Sequence, residues 1–75
     1  MVITLIGKIT LRALRNNYNL TQDEMAQKVG VSRETWSNYE RGLTVPNGKN
    51  LLKIERTFNV SFQDDIELII KSKSD

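Results

Sequence analysis

Residues 21–42 read TQDEMAQKVGVSRETWSNYERG, and this stretch decides the fold. Thr21 can cap a helix, and Glu24, three residues on, completes a T-x-x-E capping box. Leu20 before the cap and Met25 inside the helix suit a hydrophobic staple. Met25, Ala26 and Val29 share one apolar face at helical spacing. Gly30 stands where the chain must turn left-handed, which glycine does without steric cost. The pattern then repeats. Ser32 caps a second helix, Val31 can staple to Trp36, and Gly42 stops it. The spacing predicts two short helices joined by a tight turn, the second over 32–41.

On the second helix, Trp36 and Tyr39 fall on the inward face. Arg33, Glu34, Ser37, Asn38 and Arg41 fall together on the opposite face. A helix of this size fits the major groove of B-DNA, and these side chains suit base edges. Arg33 can donate two bonds to guanine O6 and N7, or stand as a solvated arginine. Asn38 can pair with adenine, or bond a phosphate or the backbone. Glu34 can accept from cytosine N4 or favour the positive end of its helix. Ser37 is short enough to sit against a base edge. Trp36 could be a stacking platform, but its register with Tyr39 places it in the core.

Outward from this unit, residues 9–17, ITLRALRNN, predict a first helix with Ile9, Leu11 and Leu14 as core positions. Asn16 to Asn19 supply a turn. Leu43 to Pro46 form a loop, and Asn47 caps a fourth helix whose apolar set is Leu51, Leu52, Ile54 and Phe58. Asn59 and Val60 end it, and Ser61 opens a fifth short helix, SFQDDIEL. The ends, VITLI and IELII, are β-branched runs that period alone does not assign. They can pair as strands, pack on the domain's own core, or form a contact between copies. Packing on the core is the reading taken. The result is an all-α, five-helix domain over residues 1–75 with ends open to extended structure.

The segment resembles the helix-turn-helix of the phage repressor and Cro family, the XRE-type regulators. Gln22, Ala26, Gly30, the apolar Trp36 and Tyr39, and the wording AQKVGVS and NYERG carry the resemblance, which continues through Pro46 and LLKIERTFNVSFQDDI. Trp36 is larger than the aliphatic residue usual there. The resemblance implies a repressor-like fold and sequence-specific binding of double-stranded DNA by a transcriptional regulator. It implies that Gln22 clamps a phosphate, with Arg41 and the N–H groups of Gly42 and Leu43 as a second clamp. Arg12 and Lys8 are further phosphate candidates. It also implies an ion pair, partly buried, between Arg15 and Glu40. Family members bind near-palindromic operators as homodimers, because two equal heads need half-sites about one helical turn apart. The short chain favours a small Cro-like or phage-type repressor. The runner-up is an antitoxin-like or antirepressor-like protein-interaction module, with the apolar ends and the acidic 64–67 segment as its contact surface.

Bulk properties agree with a small intracellular binding module. The 75 residues are 39% hydrophobic, with no cysteine and no histidine. This excludes a disulfide framework and thiolate or imidazole chemistry. No enzyme, cofactor, metal or small-molecule ligand is expected. No apolar run reaches the ~18 residues of a membrane span. MVITLIGKIT lacks the basic start and cleavage pattern of a signal peptide, so a cytoplasmic, bacterial or phage-encoded protein is expected. Net charge is only +2, but residues 1–56 carry nine Lys/Arg against five Asp/Glu, and residues 57–75 carry two against four. The basic part coincides with the reading unit.

Three further patterns are set aside. Gly42 to Lys49 has five residues between its glycines where a phosphate loop has four, and Asn50 follows the lysine. Asn19-Leu20-Thr21 and Asn59-Val60-Ser61 match a glycosylation pattern without a secretion signal. Asp64, Asp65 and Glu67 lack the loop and spacing of a calcium site.

Overall fold

The computed structural model describes residues 8–69. Among them are four helices, α1 (Leu11–Asn17), α2 (Gln22–Val29), α3 (Arg33–Arg41) and α4 (Gly48–Phe58). Each begins on a side-chain cap that accepts a backbone N–H three residues on. Thr10 takes that of Ala13, Thr21 that of Glu24, Ser32 that of Thr35 and Asn47 that of Asn50. At α2 the Glu24 carboxylate also accepts from the Thr21 N–H at 2.9 Å, closing the capping box. Gly30 and Gly42 end α2 and α3 in the left-handed region, at φ 85° and 77°.

α2 lies at the centre. It packs on α3 and on α4, and α3 packs on α1. The core takes Leu11 and Leu14 from α1, Met25, Ala26 and Val29 from α2, Trp36 and Tyr39 from α3, Ile54 and Phe58 from α4, and Ile66 beyond them. Ala26 is 2% exposed in the helix that carries both neighbours, where a small side chain lets backbones approach. Trp36 is wholly buried and meets Tyr39 edge-on, with ring centroids 5.8 Å apart.

Three expectations are corrected. Ile9 is not in α1, because Thr10 caps that helix and leaves Ile9 extended. Ile9 instead forms an isolated parallel bridge with Ile66, donating to the Asp65 carbonyl at 2.9 Å and accepting from the Glu67 N–H at 2.8 Å. The fifth helix is absent, and residues 62–65 make one turn. The Ser61 carbonyl accepts from the N–H groups of Asp65 and Ile66. The Ser61 N–H donates to the Asp65 carboxylate, a local bond that competes with a continued helix. Ile66 then leaves to fill the core at 1% exposure. Finally, Leu52 is not core. It lies about 200° round α4 from Ile54 and is half exposed, while Leu51 is half-buried.

Among the described residues, the two flanks of the helices are bridged at one residue pair, Ile9 and Ile66. Leu68 packs on the core and Ile69 is 40% exposed. The VITLI run and Ile70 lie outside the described residues.

Candidate nucleic-acid interface

The outer face of α3 follows from its buried one. Trp36, Tyr39 and Glu40 point inward, so Arg33, Glu34, Ser37, Asn38 and Arg41 face outward or along the rim. With Gln22 they line one shallow depression. Arg33, Glu34 and Arg41 are exposed, and Ser37 and Asn38 are half-buried. Two further depressions flank it. One is lined by Arg15, Thr21, Gln22, Asp23 and Arg33, at the start of α2. The other brings together Thr10, Arg12, Glu40, Arg41, Leu43 and Ile69. Hydrogen-bonding side chains thus run along α3, with cations at both ends of the row.

Beneath this face sits the Glu40 carboxylate, with no exposed side-chain surface. Arg15 grips it with both arms, Nε to Oε2 at 2.5 Å and Nη2 to Oε1 at 3.1 Å. The third nitrogen of Arg15 donates to the Leu20 carbonyl at 2.9 Å. The Gln22 amide donates to Oε1 at 3.0 Å, and the Trp36 indole N–H donates to Oε2. Arg12 stands 3.5 Å from Oε1 with its side chain 60% exposed. One carboxylate therefore joins α1, α2 and α3. Burial pushes its pKa up, but the bonds from Arg15, Gln22 and Trp36, with the charge of Arg15, hold it below the ordinary glutamate value. The same bond to Glu40 raises Arg15, against its own burial.

These contacts revise the phosphate candidates. Gln22 spends one amide N–H on Glu40, leaving the other and its backbone N–H for a ligand. The N–H groups of Gly42 and Leu43 are already used. Gly42 donates to the Tyr39 carbonyl at 3.3 Å and Leu43 to that of Asn38 at 3.0 Å. They close the end of α3 and are not free for a phosphate. Arg12 and Arg41 remain as the cations of that end. Lys8 is exposed, ahead of the Ile9 bridge. The roles of Gln22 and Trp36 beneath the face were not foreseen. One signal was available for Trp36, since a buried indole needs an acceptor and Glu40 stands four residues on.

No helix of the described residues is long and apolar enough to cross a membrane. Among the described residues no three His, Cys, Asp or Glu side chains gather as a metal site requires.

Comparison with known proteins agrees with this geometry. The family described as Helix-turn-helix matches residues 11–64. An uncharacterized HTH-type transcriptional regulator of Archaeoglobus fulgidus is 43% identical over 54 residues, covering 72% of this chain and 77% of that one. Another, of Methanocaldococcus jannaschii, is 40% identical over 57 residues, covering 76% of this chain and 86% of the relative. Antitoxin PezA of Streptococcus pneumoniae is 40% identical over 60 residues, 80% of this chain but 37% of its own length. No solved structure matches. The match from α1 to the turn after α4, with relatives alike over most of their own length, shows that the chain belongs to the XRE-type helix-turn-helix family.

Proposed function

We propose that this chain is a DNA-binding transcriptional regulator that reads duplex DNA in the major groove with α3. The observation that carries the reading is the outer face of α3, where Arg33, Glu34, Ser37, Asn38 and Arg41 share one depression with Gln22. Arg33 and Asn38 read bases, with Glu34 and Ser37 beside them. Gln22, Arg12 and Arg41 hold the phosphates that set the register. The Glu40 carboxylate fixes α3 against α1 and α2, so the reading face is presented in one orientation. The whole chain acts as one such domain in the cytoplasm, and two copies bind a near-palindromic site.

Selection from a randomised duplex pool at near-physiological salt tests this, with Arg33→Ala/Asn38→Ala in parallel. A palindromic consensus that the double variant loses is the expected result. Weak, salt-sensitive binding without enrichment would overturn it.

The similarity to an antitoxin keeps a second reading in view, a protein-binding module on the same fold. Alanine substitutions along residues 33–41 that leave all activity intact would favour it.

A further inference from the structure

α4 carries a second concentration of positive charge, away from the reading face. Lys49, Lys53 and Arg56 are all exposed. They stand at i, i+4 and i+7, one stripe along α4 outside the buried Ile54 and Phe58. At 1.5 Å rise per residue the stripe is about 10 Å long.

The free domain gains little from this arrangement. No acidic residue stands three or four positions from any of the three within α4. Among the described residues both ion pairs end on Glu40, so none involves the stripe. Lys49 and Lys53, and Lys53 and Arg56, are like-charge neighbours on one helix face, which is unfavourable. Lys49 also stands in the first turn, at the positive end of the helix, where no acidic residue accompanies it. Two offsets exist. Arg56 is in the last turn of α4, and the Lys53 ammonium lies over Gly30 at the carbonyl end of α2. The placement of Lys49 and the repulsion along the row remain.

An anionic partner with regular charge spacing would relieve both. A duplex strand presents one phosphate per ~3.4 Å of axis, so a 10 Å stripe meets about three. None of the three lines the depression on the outer face of α3 that would meet the first duplex. α4 lies behind α3, where Asn50 donates to the Tyr39 hydroxyl at 3.1 Å; Lys49 and Arg56 are on the far side of α4 from Ile54 and Phe58, and Lys53 stands at its flank beside Gly30 of α2. We propose that Lys49, Lys53 and Arg56 form a second, sequence-independent surface that grips the phosphates of a second duplex segment while α3 reads the first. This rests on the DNA-reading function above.

The test uses the full chain and two short duplexes, one with the selected site and a donor dye, the other of unrelated sequence with an acceptor dye. Wild type is compared with Lys49→Gln/Lys53→Gln/Arg56→Gln, with thermal unfolding to confirm the variant's fold. The expected result is energy transfer with wild type, and none with the variant, which still selects the same site. Affinity for the second duplex should fall about 40-fold between 50 and 200 mM salt if three phosphates are neutralised. Transfer that survives in the variant overturns the proposal. So does a variant that loses affinity for the first duplex alone, which would make the stripe a flanking contact. Capture of a polyglutamate peptide without any second duplex would assign it to an acidic protein instead. If wild type selects no site, the reading function fails separately. Binding of the unrelated duplex, wild type against variant, then still decides the stripe.

Discussion

Replacing Arg15 with methionine should be the most damaging single change on the buried side of α3. The substitution keeps most of the aliphatic stem and removes two hydrogen bonds and the countercharge from a carboxylate with no exposed surface. Breaking a buried pair on one side costs about 3–5 kcal/mol. A chain of this size has about 4–11 kcal/mol in total, at roughly 0.05–0.15 kcal/mol per residue. With an m-value near ~1 kcal/mol/M, the urea midpoint should fall by roughly 3 M or be lost. Arg15→Met/Glu40→Met should be less damaging than Arg15→Met alone. Its remaining cost is the orphaned Trp36 N–H, about 1–3 kcal/mol. The pH dependence supplies an internal check. In the wild type Glu40 is held below its ordinary value, so its contribution is present above the unfolded value and lost as pH falls through the folded one. Without Arg15, burial still pushes the Glu40 carboxyl up while its largest opposing bond and the countercharge are gone, so its folded value rises and acidification costs the variant less than the wild type. The two stability curves, from urea titrations between neutral pH and pH 4, should therefore converge on acidification. A penalty under about 1 kcal/mol, as for an exposed pair, would refute the reasoning. Curves that stay parallel would refute it equally.

Three shorter predictions concern the site and its supports. Arg33→Ala should cost about 1–3 kcal/mol on the best site and relax the selected consensus; equal weakening on every duplex would remove Arg33 from base reading. Gln22→Ala should weaken all duplexes alike and lower stability by about 1 kcal/mol through the lost Glu40 bond, which parallel binding and melting curves would show. A changed consensus would contradict the phosphate role. Gly42→Ala forces a side chain into φ 77° at a buried position and should cost about 1–2 kcal/mol, lowering Tm by roughly 5–15 °C, whereas Asn59→Gly, at φ 56°, should be nearly neutral.

What the sequence made legible was local. Thr21, Glu24, Gly30, Ser32 and Gly42 act within four residues of themselves, and α2, α3 and their turn follow from them. The Arg15–Glu40 pairing came from family resemblance and not from spacing. The convergence of Gln22 and Trp36 on the same carboxylate depends on how α2 crosses α3, which no window of sequence reports. Leu52 was misplaced because Leu51 and Leu52 are adjacent and equally apolar, so the α4 register is set only by Ile54 and Phe58. The segment after Ser61 read as helix because Ser61 can open one. The Asp65 carboxylate turned back to the chain, and Ile66 had a place in the core to fill. The stop at Gly42 was legible, but the carbonyls of Asn38 and Tyr39 that take up the N–H groups of Leu43 and Gly42 were not.

The bridge between Ile9 and Ile66 joins residues from opposite ends of the described chain. The α2–α3 pair and its turn are near neighbours along the chain and can dock early, whereas this closure spans nearly the whole fold. Loop entropy is paid before such a contact returns anything, so it belongs late on the folding pathway. A chain cut just before Ile66 would keep all four helices yet lose a core residue and the Glu67 N–H that donates to the Ile9 carbonyl. The damage would surface at the start of α1, far in sequence from the cut, and as faster unfolding more than slower folding.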